Sequence, residues 1–147
     1  MRYKLVDTTP GSRVWVLIFD SGDEVMEGLQ YFANHENVLA ASFIALGAFQ
    51  RATLAYFDWE QKKYLPIAVE EQVEVVSLMG DIAKGDDERP SLHAHAMLGR
   101  RDGSAKGGHL KNAIVRPTLE VKITETPAHL RRHARPNLGI ALIDIEN

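Results

Sequence analysis

The chain has 147 residues, 45% hydrophobic and 25% charged, with a formal net charge of −3, a composition that reads as one globular domain over residues 1–147. No apolar run approaches the roughly 20 residues of a membrane span, and "MRYKLVDTTPGSR" lacks the apolar segment of a secretory signal, so a cytoplasmic setting with no membrane partner is expected. With no cysteine, disulfides and thiolate ligands are excluded and any metal falls to His, Asp or Glu.

In chain order, "RVWVLIFD" (Arg13–Asp20) is rich in β-branched and aromatic residues and predicts a buried strand. Ser21 with Glu24 three residues later has the spacing of a capping box. Val25, Met26, Leu29, Phe32 and Ala33 then follow at helical spacing, predicting an amphipathic helix from Asp23 to about His35. Strand-like runs dominate the rest: "LAASFIALGAF", "RATLAYFD", "KYLPIAV", "EQVEVVSLMGDIA", "SLHAHAML", "HLKNAIV" and "TLEVKITE". Gly47, Gly80 and the stretch Gly103–Gly108 read as breaks between them. A short helix in "PAHLRRHAR" and a last strand "GIALIDI" complete the pattern. One early helix followed by many strands predicts an α+β fold with a mainly antiparallel sheet.

Three of the six histidines fall in "SLHAHAMLGRRDGSAKGGHL". On a strand, His93 and His95 face one side while Leu92, Ala94 and Ala96 face the other. If "GRRDGSAKGG" is a hairpin connection, "HLKNAIV" returns antiparallel and brings His109 beside them. Strands about 4.8 Å apart could then let three imidazoles meet one ion at the Zn–N distance of about 2.0–2.1 Å. The competing reading is two polar residues on a solvated strand face. Three histidines leave an open position on zinc for water or an oxyanion. Arg51 and Arg116 are candidates to hold an anion, and Glu120 to serve as hydrogen-bond acceptor to a ligand histidine or as acid/base. His35 reads as a helix C-terminal charge. His129 and His133, at i, i+4 among Arg131, Arg132 and Arg135, read as a solvated helix face.

Charge is uneven: residues 1–92 carry 8 Lys/Arg against 15 Asp/Glu, and residues 93–147 carry 9 against 5. The basic half permits an anionic partner, with DNA as a weak candidate. No G-x-S-x-G, P-loop or dinucleotide fingerprint is present.

The stretch "LHAHAMLGRRDGSAKGGHLKNAIVRPTLEVKITE" closely resembles the PPC (plants and prokaryotes conserved) domain, whose pattern is an H-x-H strand, a Gly-containing turn, G-G-H and a T-x-E-V-like strand. "EQVEVVSLMGDIA" and the segment from Ser12 to Asp58 resemble its preceding strands and helix, so the resemblance covers nearly the whole chain. It implies an α/β sandwich-like domain that assembles as a homotrimer. It also implies a metal site at His93, His95 and His109, and a fold similar to that of acetolactate decarboxylase, which holds zinc with three histidines. Plant members carry an AT-hook for A·T-rich DNA. This chain has no R-G-R-P core and is similar to the stand-alone prokaryotic members, to which a DNA-binding label is attached by inheritance.

Three functions follow as expectations. The first is a metal-binding homotrimer acting as an assembly or regulatory module. The second is a metal-dependent lyase or hydrolase acting on a small carboxylate or carbonyl compound. The third is a DNA-binding protein using the basic half.

Overall fold

The computed structural model describes residues 1–126 and 130–145. The elements are β1 (Arg2–Thr9), β2 (Ser12–Asp20), α1 (Val25–His35), β3 (Ala40–Asp58), β4 (Lys63–Val69), β5 (Val73–Lys84), β6 (Pro90–Gly99), β7 (Ala105–Glu125), β8 (Arg131–Arg135) and β9 (Ile140–Asp144). Nine strands and one 11-residue helix among the described residues make the fold sheet-dominated, a looser fit to α+β than expected.

All strand pairs are antiparallel except β5–β8, which touches in parallel at Lys84 and Arg131. The early half of β3 pairs with β5 and the late half of β7, and its later half pairs with β4 and the early half of β7. β5 pairs with β6, and β6 pairs with the start of β7. The path β3–β5–β6–β7–β3 therefore closes on itself, with Phe43, Phe49, Leu78, Leu98 and Leu119 fully buried inside. Helix α1 lies against β6 and β7 and buries Val25, Leu29, Phe32 and Ala33, four of the five residues of the expected apolar stripe; Met26 is half-buried, and Phe32 packs on Tyr3 and Trp15.

The helix cap differs from the expected box. Glu24, not Ser21, is the N-cap: one carboxylate oxygen accepts from the Glu27 N–H at 2.6 Å and the other from the Ala113 N–H at 2.8 Å. With both oxygens so engaged, Glu24 starts the helix at Val25 and ties it to β7.

Four expected strands are two. Residues 40–58 run as one strand and residues 105–125 as another, each bent by bulges rather than broken. Gly47 and Gly80 sit inside strands because they permit close approach. At Gly47, at φ 152°, a Cβ would overlap the Thr118 carbonyl oxygen and lie 2.8 Å from Leu119 Cα. At Gly80 it would overlap the His93 carbonyl oxygen and the Phe43 ring. β1 was not legible because it is an edge strand with almost every residue exposed. The helix expected over residues 127–135 is instead strand β8 at Arg131–Arg135, paired with β9. Residues 127–129, with His129, lie outside the described residues. The strand is held by a five-pair antiparallel register with β9 and by Arg132, the one buried residue of β8, whose guanidinium bonds Asp81 and Ser91.

Gly80→Ala is expected to lower the unfolding free energy by about 1–3 kcal/mol or more, the range for overpacking. Both obstacles are packed groups, one of them the backbone of the strand that carries His93. Urea unfolding of the variant beside wild type checks this.

Candidate metal centre

β5 and β6 form a hairpin whose register runs without slip from Lys84 opposite Pro90 to Ser77 opposite Met97. Alternation on β6 buries Ala94, Ala96 and Leu98 and turns His93 and His95 outward. The turn after Gly99 sends β7 back along β6, with His95 directly opposite His109. Gly108, next to His109, has no side chain because a Cβ there would lie 2.7 Å from the Ala55 carbonyl oxygen of β3. The three imidazoles expected to converge are thus brought together.

One nitrogen from each of His93, His95 and His109 lies within 4.8 Å of the others. His93 Nε2 and His95 Nε2 are 3.2 Å apart. Two ligands at about 2.0–2.1 Å from a tetrahedral zinc stand about 3.3 Å from each other, so this pair already has the spacing of one edge. Ring centroids are separated by 4.9 Å for His93–His95, 5.1 Å for His93–His109 and 5.6 Å for His95–His109. His109 Nδ1 is buried and has no hydrogen-bond partner among the described residues. Such an orphan costs about 1–3 kcal/mol. The Tyr64 ring packs on His109 at 4.7 Å, and Lys111 Nζ lies 4.3 Å over Tyr64.

Burial, then Lys111 and the neighbouring histidines, pushes the His109 pKa down to about 4. His93 is also lowered, by burial first, then by His95 and Arg132, with Asp81 opposing. Both rings are neutral at pH 7 and keep a lone pair for a ligand bond. A divalent metal therefore fits these residues.

The depressed value fixes a pH dependence. The folded state holds His109 neutral, so between pH 6.5 and about 4 the unfolded chain binds more protons. This contribution to stability is complete above pH 6.5, fades as the pH falls and is gone below about 4. It amounts to at most about 3 kcal/mol before solvent screening. Metal-free protein is expected to lose stability in urea between pH 7 and 4.5, with a flatter profile for His109→Gln.

A groove of about 430 Å³ opens beside the cluster, lined by Ser42, Phe43, Ile44, Met79, Gly80, Asp81, His93 and His95. Glu120, Arg51 and Arg116 are exposed and none of them lines it. Glu120 stands on β7 opposite Leu46, eleven residues beyond His109, and lines a different, apolar groove. Arg51 pairs with Ile114 further along the β3–β7 ladder. The carboxylate at the histidines is Asp81, which the sequence reading missed. Asp81 is directly opposite His93, with Oδ2 3.8 Å from His93 Nδ1. His35 stacks on Tyr31 at the end of α1, as a helix-end residue. His133 is on β8, with Nδ1 2.5 Å from Asp86 Oδ1, not on a helix face.

The Plants and Prokaryotes Conserved (PCC) domain model matches residues 6–127. The chain belongs to this family. Among solved structures, a protein from Bacteroides thetaiotaomicron proposed to bind DNA is 28% identical, with 99% of each chain covered and a TM-score of 0.86. A plant- and prokaryote-conserved protein from Pyrococcus horikoshii is 25% identical over 99% of this chain and 96% of that one, at 0.85. A metal-containing protein from Archaeoglobus fulgidus is 27% identical over 97% and 96%, at 0.82. Acetolactate decarboxylase from Bacillus subtilis, 12% identical over 84% of this chain and 62% of its own, at 0.60, shares the fold alone. No curated protein sequence matches. No helix among the described residues of this PCC-domain chain is long and apolar enough to cross a membrane.

Proposed function

We propose that this protein is a single-domain, metal-binding PCC module that assembles as a homotrimer and acts as an assembly or regulatory unit. His93, His95 and His109 hold one divalent ion, zinc by the preference of a three-imidazole donor set, with an open position for water or a small anion. The observation that carries this reading is the convergence of three imidazole nitrogens within 4.8 Å on two paired strands. The likeness to the metal-containing archaeal protein supports it.

Trimer assembly draws support from the outer face of β3 and β5. Ile44, Leu46, Val76 and Met79 are 58–66% exposed there and form one apolar surface. DNA is the weaker partner. Of the nine Lys/Arg in residues 93–147, Arg100, Arg131, Arg132 and Arg135 are already paired with Glu71, Glu88, Asp81 and Asp144, leaving fewer charges for phosphates.

A metal-dependent lyase or hydrolase is the second reading, favoured by the groove beside the histidines and the carboxylate in it. Asp81, however, is bound by a buried arginine, which suits a fixed ligand better than a proton carrier.

Metal analysis of protein purified without a His-tag, with light scattering in parallel, tests the proposal. About one zinc per chain and a mass three times the chain's 16.4 kDa are expected. Protein that neither retains nor takes up metal would overturn it.

A further inference from the structure

Arg132 is the one buried charged residue among the described residues, at 6% exposure, and it sits on β8, beyond the segment that the family model matches. Its Nη2 pairs with Asp81 Oδ1, and its Nη1 donates to the Ser91 carbonyl oxygen at 2.8 Å and reaches Ser91 Oγ at 3.4 Å. Its guanidinium thus bridges β5 and β6 at the level of the histidines. The second oxygen of Asp81 faces His93 Nδ1.

We propose that Asp81, fixed by Arg132, is the positioning residue for His93, so that the C-terminal hairpin β8–β9 is coupled to the metal centre. The inference rests on the metal reading above. A carboxylate on one side of an imidazole places the ring proton there and turns the other nitrogen's lone pair outward. Asp81 on the Nδ1 side leaves Nε2, the atom 3.2 Å from His95 Nε2, free for an ion. The 3.8 Å separation closes to a hydrogen bond with a shift of about 1 Å. Arg132 holds the carboxylate side of this arrangement through Asp81 and Ser91, and its buried guanidinium without Asp81 would leave a charge unpaired.

The hairpin has other attachments that do not touch Asp81. Arg131 pairs with Glu88 at 2.6 Å, Glu88 also pairs with Lys84, and Asp86 accepts from the Ala134 N–H at 2.9 Å and contacts His133. Loosening the hairpin there separates docking from positioning.

Zinc affinity, read by competition with a chromophoric chelator, should fall about 10- to 100-fold in Asp81→Asn and in Arg132→Met. It should stay within about twofold of wild type in Glu88→Gln, which weakens docking but leaves Asp81 in place. Wild-type affinity in Asp81→Asn overturns the inference, and so does an equal loss in Glu88→Gln, which would mean general loosening. If wild type binds no zinc, the metal reading itself fails and the histidine tautomer decides the positioning alone. Long-range ¹H–¹⁵N spectra of the metal-free protein should show His93 protonated at Nδ1, with that preference lost in Asp81→Asn. The same tautomer in both proteins overturns the positioning role.

Discussion

His95→Ala is expected to abolish metal retention while leaving the metal-free fold almost untouched. His95 is exposed, and its one ring–nitrogen contact among the described residues is with His93, so truncation creates no core cavity. Exposed substitutions of this kind stay within about 0.5 kcal/mol. Its removal nevertheless takes one of the three proposed donors and the 3.2 Å edge that matches the spacing in a tetrahedral ion. An ion present at 100 times its dissociation constant stabilises the folded state by about 2.7 kcal/mol. For a chain of this length that corresponds to roughly 5–10 °C in melting temperature. Wild type should melt higher in zinc than in chelator by that margin, and His95→Ala should melt at one temperature in both. Elemental analysis of the same samples should give about one zinc per wild-type chain and essentially none for the variant. A wild-type melting point indifferent to zinc would make the three histidines packing and surface groups.

The histidine cluster was legible because each step uses a short-range rule. Alternation puts His93 and His95 on one face, and a Gly-rich connection implies the return strand with His109. Asp81 needed one more step of the same kind. "EQVEVVSLMGDIA" and "SLHAHAML" flank the short "KGDDERP", and a hairpin closed at Lys84 and Pro90 counts back to Asp81 opposite His93. Arg132 had no such route: it arrives from a strand that touches β5 in parallel at one residue pair, after a segment whose arginines and histidines have helical spacing. Glu120, Arg51 and Arg116 were drawn in by residue type; the register sets Glu120 and Arg51 elsewhere along β7 and β3, and Arg116 is an exposed residue of β7 that does not line the histidine groove.

The long strands were misdivided for a related reason. Gly47 and Gly80 look like punctuation in a linear reading. In the fold they are contact points: one lets β7 cross β3 closely, the other lets Phe43 lie over β5 against the backbone of β6. Close backbone approach is a property of two strands at once, and nothing in either strand's own pattern announces it. The same long, bent strands make the site, since β7 reaches β6 with its first residues and β2 with its last.

Leu46→Glu is expected to convert the proposed trimer to single chains. Leu46 is 66% exposed in the isolated chain, on the outer face of β3, where it lines a groove of about 440 Å³ with Ile44, Val76 and Val16 of β2, and Met79 stands opposite Ile44 beyond it. Glu120 and Lys122, of opposite charge, stand on its β7 side. Four large apolar side chains left in water on adjacent strands are what a second copy would cover. In the proposed cyclic trimer any substitution recurs in all three subunits, so three carboxylates would have to be buried, each at several kcal/mol. Light scattering should then read 16.4 kDa in place of three times that value. Leu46 does not line the histidine groove, whereas Ile44 lines both grooves. Zinc content of the Leu46→Glu chain therefore reads the centre apart from the assembly: retained zinc means that one chain supplies the whole donor set, as proposed for His93, His95 and His109. A variant that remains trimeric would move the interface off this face and leave its exposed apolar residues to a different partner.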